Sequence, residues 1–191
     1  MSDAMPFTTD ALDWAPWIEP VDLDRATPEQ KASLSETPSG MKVSAYSLVL
    51  AHDPAALGER SPLYNKIMYA PRGLPRADRE LGALAESVQN GCVYCASVHA
   101  RRFIELAKAP EIVERIFAGD FETGLDPRRT AIVRYSLALA ATPPTAGREH
   151  VTALRDAGLS DGEILDLTNA VAMFAWANRL MQTLGEPAPA S

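Results

Sequence analysis

From residue 41 onward, apolar positions along the chain recur with a helical period, and no alternating β-branched run competes with it. Leu81, Leu84, Ala85 and Val88 fall at i, i+3, i+4 and i+7, a stripe that begins after Pro75 and predicts a helix stopping at Asn90-Gly91. Upstream, the pattern predicts helices over 42–51, ended by Asp53-Pro54, and over 55–69, ended by Pro71-Arg72-Gly73. Downstream, a helix is expected from Cys92 to Lys108, then a short one opened by Pro110 and closed near Gly119. Asp126 reads as an N-cap with Pro127 at the first helical position, for a helix ending before Thr142-Pro143-Pro144. Thr145 is expected to cap a further helix ending at Gly158. Ser160 and Glu163 form a capping-box pattern that opens a long last helix, 161–184, stopped by Gly185 before Pro187. The expected fold class is all-α, with a compact helical domain over residues 41–191.

Residues 1–40 break this pattern. Pro6, Pro16, Pro20, Pro28 and Pro38 prevent long helices, and Trp14, Trp17 and Ile18 stand among them. Two tryptophans so close together call for something to dock on. An extended Pro-rich arm is expected, packed on its own domain or on a neighbouring subunit.

Composition narrows the function classes. A chain of 191 residues, 47% hydrophobic with a mean hydropathy of -0.10, suits one globular domain, and no apolar run approaches the roughly 20 residues that cross a bilayer. The first ten residues lack the basic start and apolar core of a secretory signal, so a cytoplasmic setting with reduced thiols is expected, away from membranes. Net charge is -7, and Lys and Arg are spread thinly, as in Arg76/Arg79, Arg101/Arg102 and Arg128/Arg129, with no long basic run. Nucleic acid is therefore not an expected partner. No Gly-rich phosphate loop is present, and no bound cofactor is expected.

The chemistry concentrates in one stretch. Cys92 and Cys95 are the only two cysteines, and His99 follows four residues after the second. The break at Asn90-Gly91 sets both thiols at a helix start, where free amides and the helix dipole favour thiolate. Cysteine pKa values fall from about 8.5 into the ~3.5–7.5 range in such settings. Spacings of three and four let Cys92, Cys95 and His99 share one helical face, within reach of proton transfer. Thiol redox chemistry, metal binding and two inert core thiols are the readings the residues leave open. A zinc site needs four ligands, and no second Cys or His cluster completes one, so no metal is expected. His52 and His150 are isolated and read as surface or structural residues. Ala96 stands where haem attachment needs histidine. On the preceding helix, Glu80 and Glu86 lie 12 and 6 residues before Cys92, and a hairpin at Asn90-Gly91 gives Glu80 a route back to the thiols. Spacing does not choose between them.

The pattern Arg79-Glu80-x3-Leu84-x2-Ser87-x2-Asn90-Gly91-Cys92-x-Tyr94-Cys95-x3-His99 resembles the signature of alkyl hydroperoxidase D-like proteins of the carboxymuconolactone decarboxylase superfamily, closest to the peroxidase-related branch. Weaker matches at His52-Asp-Pro-Ala-Ala-Leu57 and Ala177-Asn-Arg-Leu180 extend it over about residues 42–186. The resemblance implies an all-α fold, assembly into trimers or hexamers, and a cysteine peroxidase that takes a peroxide substrate and an external dithiol reductant. By matching position, Cys95 resembles the peroxide-attacking thiol and Cys92 the resolving one. Glu80 and His99 match the acid and histidine that move protons, which favours Glu80 over Glu86. One position departs: the hydroperoxidase D pattern can carry a histidine between the cysteines, where Tyr94 stands. Two other readings stay beside this one. The first is a carboxymuconolactone decarboxylase-like enzyme, which needs no cysteine pair. The second is a non-enzymatic redox- or metal-responsive interaction protein.

Overall fold

A computed structural model describes residues 5–40 and 42–190, with Ser39 described by its backbone alone. Its described residues are mostly helical. In chain order they form β1 (Leu12–Pro16), α1 (Pro28–Ser33), a 3-10 turn (Pro38–Gly40), α2 (Ala45–Leu50), α3 (Pro54–Tyr69), α4 (Arg76–Gln89) and α5 (Val93–Ala107). Then follow α6 (Pro110–Phe117), α7 (Pro127–Ala140), α8 (Arg148–Asp156), α9 (Asp161–Leu184) and β2 (Gly185–Pro189). The helical expectation holds from α2 to α9.

α4 is the axle of the fold. It packs on α5, α7 and α9, and the core gathers around its Leu81 and Leu84 with Phe103, Ile132, Leu167 and Val171. Each such side chain contributes about 1.5–3 kcal/mol on full burial. Gly82 explains how α7 and α9 come so near α4: a Cβ there would lie 2.6 Å from Leu167 Cδ1 and 3.2 Å from Ser136 Oγ. The charges on this enclosed helix all find partners. Arg79 donates from Nη1 and Nη2 to the carbonyls of Ala70 and Arg72, and Asp78 accepts from Arg128 at 2.9 Å. Arg79 thus ties down the loop that leads into the helix.

Local chemistry sets most boundaries. Asp126 Oδ1 accepts from the Arg129 amide at 2.9 Å, and Ser160 and Glu163 make both bonds of the capping box. Thr145 is the exception. Its amide donates to the Ala138 carbonyl at 2.8 Å, so it seals the end of α7 rather than opening α8. Gly147 is the N-cap of α8, and His150 Nδ1 accepts from its amide at 3.1 Å. His150 is therefore structural, as is His52, whose Nε2 meets the Glu19 carbonyl at 2.9 Å.

The arm packs on its own chain. β1 pairs antiparallel with β2, from Leu12 opposite Pro189 to Pro16 opposite Gly185. Two elements here lie outside the sequence expectation. A two-stranded ribbon joins the termini, although Gly185-Glu186-Pro187-Ala188-Pro189 carries no strand signal. α1 also forms within the Pro-rich stretch, because Pro28 falls at its tolerant first position and Thr27 and Gln30 close a capping box. Trp14 is the anchor of the arm: its Nε1 donates to the Met181 carbonyl at 3.0 Å and its indole stacks edge-on with Tyr46.

Candidate active site

The α4–α5 hairpin builds the site. Asn90 ends α4, Gly91 takes φ +71 where a side chain is disfavoured, and Cys92 is the N-cap of α5. The Cys92 amide donates back to the Ser87 carbonyl at 2.9 Å, which locks the reversal. α5 therefore lies against α4, and Glu80 is brought back to His99. Glu80 Oε2 accepts from His99 Nδ1 at 2.7 Å, and both side chains are 2% exposed. Arg76 donates to the other oxygen, Oε1, from Nε and Nη2 at 3.2 Å each. A carboxylate so held fixes the proton on Nδ1 and leaves His99 Nε2 to the outside of the pair. Among the described residues that Nε2 has no partner. Phe174 packs edge-on to the imidazole, with ring centroids 4.0 Å apart.

Cys92 and Cys95 are free, buried thiols. Being one helical turn apart, they open onto different cavities. Cys95 shares a cavity of about 130 Å³ with His99, Tyr46, Tyr64, Arg60 and Phe174. Cys92 lines a groove of about 560 Å³ with Trp14, Trp17, Gln182 and Glu186. Tyr94 and Met181 line both and form the partition, with Met181 Sδ 3.4 Å from Cys95 Sγ.

The expectation that the helix start lowers both thiols is corrected for one of them. Cys92 titrates below its ordinary value, because the S–H of Cys95 donates to its sulfur and the Cys95 amide adds to the effect. Cys95 is pushed well up by that same bond, then by burial and by the neighbouring Cys92 charge. Of the reduced pair, Cys92 is therefore the thiol that gives up its proton first and Cys95 the one that keeps it longer. Arg60 acts in the opposite direction on Cys95. Tyr94 is raised by burial and by Cys95, so its phenol stays protonated at neutral pH.

Glu86 lies within electrostatic reach of both thiols. It is fully buried, accepts from Asn178 Nδ2 at 2.6 Å and from Asn90 Nδ2, and is raised to about 8, by burial first and then by Cys92. The two glutamates thus differ in how they act: Glu80 reaches the Cys95 cavity through His99, whereas Glu86 acts by its charge on both thiols.

Sequence reasoning missed Arg60, Tyr46, Met181 and Asn178. A signal existed for the first, since Arg60 stands on the α3 face with Leu57, Ser61, Tyr64 and Met68, all buried at helical spacing. A charge on such a face needs a reason. Among the described residues no three His, Cys, Asp or Glu side chains gather as metal ligands, and no helix is long and apolar enough to cross a membrane.

Comparison with known proteins agrees with this architecture. The sequence model of the carboxymuconolactone decarboxylase family matches residues 54–136, which span α3 to most of α7. No curated protein matches the chain significantly. Among solved structures, the alkylhydroperoxidase AhpD core of an uncharacterized peroxidase-related protein from Ralstonia eutropha JMP134 is 25% identical, with a TM-score of 0.65 over 72% of this chain and 73% of that one. An uncharacterized peroxidase-related protein from Silicibacter sp. TM1040 is 21% identical, with a TM-score of 0.70 over 97% and 95%. The debrominase Bmp8 is 17% identical, with a TM-score of 0.72 over 87% and 89%. The last two share the fold. The family model thus matches the α3–α7 part of the chain, which is similar there to the carboxymuconolactone decarboxylase family and similar in fold to peroxidase-related proteins.

Proposed function

We propose that the protein is a cysteine-based peroxidase in which Cys95 attacks the peroxide and Cys92 resolves the product. One observation carries this reading: the Glu80–His99 pair, held by Arg76, leaves an unpartnered imidazole nitrogen on the cavity that also holds Cys95. Position decides which thiol meets the peroxide. Cys95 passes its proton to His99 Nε2, and the Arg60 charge favours the Cys95 thiolate so formed. That sulfur attacks one peroxide oxygen and the O–O bond breaks. The other oxygen leaves as an alcohol or water, taking a proton from His99. Cys95 becomes a sulfenic acid. The Cys92 thiol then attacks the Cys95 sulfur, expelling water and closing the disulfide. An external dithiol, reaching Cys92 through its groove, reduces the disulfide and is itself oxidised. No bound cofactor enters the cycle.

The test is consumption of an organic hydroperoxide with a dithiol donor. Cys95→Ser is expected to lose at least about 10³-fold in turnover. Cys92→Ser is expected to stop after one equivalent of peroxide, with a sulfenic acid on Cys95. Mass spectrometry of the wild type after stoichiometric peroxide should show a loss of two hydrogens that links the two cysteines. Full activity in Cys95→Ser sinks the mechanism. A decarboxylase-like enzyme is indifferent to both substitutions, and a redox switch without turnover forms the disulfide but consumes no second equivalent.

A further inference from the structure

Five buried side-chain polar atoms lack a hydrogen-bond partner among the described residues. Four belong to residues that line the Cys95 cavity: Arg60 Nε and Nη1, Tyr46 Oη and His99 Nε2. Buried polar groups are almost always paired, and a buried charge left alone is costly. Arg60 is the extreme case. It is 8% exposed, lies 4.9 Å from the Tyr64 ring centroid and 5.7 Å from that of Tyr46, and makes no ion pair among the described residues. Ring faces stabilise its charge but take no hydrogen bond.

The surroundings share one sign. Lys42 also lines the cavity, and among the described residues no carboxylate does. Glu80 lies behind His99 with both oxygens engaged. Arg60 also borders a neighbouring cleft of about 190 Å³, whose one acid, Asp53, accepts from the Ala56 amide as the cap of α3. Apolar surface comes from residues such as Val98, Phe174, Ala177 and Met181, and Ser44 and Ser47 also line the cavity. Small, half-apolar and positively charged, the cavity is well below the roughly 300–1,000 Å³ of drug-sized sites.

We infer that this cavity is a binding site for a small organic carboxylate, whose anionic group pairs with Arg60 and accepts from Tyr46 Oη. The carboxylate supplies the partners that the guanidinium and phenol lack, and the apolar walls take a short hydrocarbon body. Resting on the peroxidase reading, the peroxide that Cys95 reduces is then a small carboxylate-bearing hydroperoxide, with its O–O bond beside Cys95 and His99.

The test separates binding from turnover. Isobutyrate and isobutyramide have the same shape and differ in charge. With reduced protein at matched ionic strength, isobutyrate at about ten times its Kd is expected to raise Tm by roughly 3–5 °C above isobutyramide. Arg60→Gln should erase the difference, Arg60→Lys should keep part of it, and Tyr46→Phe should shrink it. Equal shifts in the wild type overturn the inference without any variant, and so does a difference that survives Arg60→Gln. In turnover, the KM ratio of a neutral to a carboxylate-bearing hydroperoxide should collapse at least tenfold in Arg60→Gln. Arg60-dependent isobutyrate binding without hydroperoxide turnover keeps the site and removes the peroxidase reading. Turnover without that binding does the reverse.

Discussion

The two sulfurs of one helical turn face opposite surroundings. Around Cys95 the cavity is small and positively charged, with Arg60, Lys42 and the His99 imidazole. Around Cys92 the groove is about four times larger, bordered by Trp14, Trp17 and the acidic Glu186, with Glu86 buried behind it. The difference teaches how a dithiol can keep two half-reactions apart. In the proposed cycle a small oxidant enters the first space and a bulkier reductant the second, with one sulfur of the pair in each. Tyr94 and Met181, which line both spaces, are the wall between them.

The sharpest way to break this comparison acts on the Cys95 side. Glu80→Gln leaves the shape but removes the charge that fixes the His99 proton, and should slow oxidation of the thiol pair by peroxide about 10²–10⁴-fold. Reduction of the Cys92–Cys95 disulfide by a dithiol should change only a few-fold. Rapid-mixing measurements of the two half-reactions check this, and equal slowing of both would mean that the two sides are not separate.

A smaller effect probes the Cys92 side. A Cβ at Gly185 would lie 2.4 Å from Trp14 Cζ2 and 2.5 Å from the Ala15 carbonyl oxygen. Gly185→Ala must therefore push the terminal ribbon off Trp14, at a cost of about 1–3 kcal/mol in urea unfolding. Alkylation of Cys92 by iodoacetamide should accelerate, while isobutyrate binding in the Cys95 cavity persists. Loss of that binding would show that the arm shapes both sides.

The smallest expected change concerns pH. Glu86 is raised from 4.5 to about 8, chiefly by burial, so the folded protein holds a proton that the unfolded chain gives up. Its contribution to stability is present below about pH 4.5 and is lost as pH rises towards about 8. Glu86→Gln should flatten the fall in unfolding free energy over that window, with reduced thiols throughout. An unchanged slope would remove Glu86 as its source.

Most of the helical frame was legible in the sequence because its signals are local. Asp126-Pro127, Ser160 with Glu163, and Asn90-Gly91 each act within one turn, and each ends or starts a helix where expected. Thr145 misled because its best acceptor, the Ala138 carbonyl, was supplied by the preceding helix end. The ribbon was invisible because its pairing joins residues 12–16 to 185–189, and its prolines argue against a strand. Within the site, Cys92, Cys95 and His99 were readable from spacing on α5. Choosing Glu80 over Glu86 needed the family resemblance. Arg60, Tyr46 and Met181 come from α3, α2 and α9, and no spacing rule links them to the thiols.

The sequence by itself determined the helices, the reversal at Gly91 and the placing of two thiols at a helix start. Those follow from backbone sterics, capping and period, which reach only a few residues along the chain. Only the tertiary structure decided that the thiols differ, with Cys92 titrating below its ordinary value and Cys95 above it. It also decided that Glu80 meets His99 while Glu86 is held by Asn90 and Asn178, and that the Arg60 guanidinium lines the Cys95 cavity with no ion pair among the described residues. Burial and charge act through space, between residues that the chain keeps far apart.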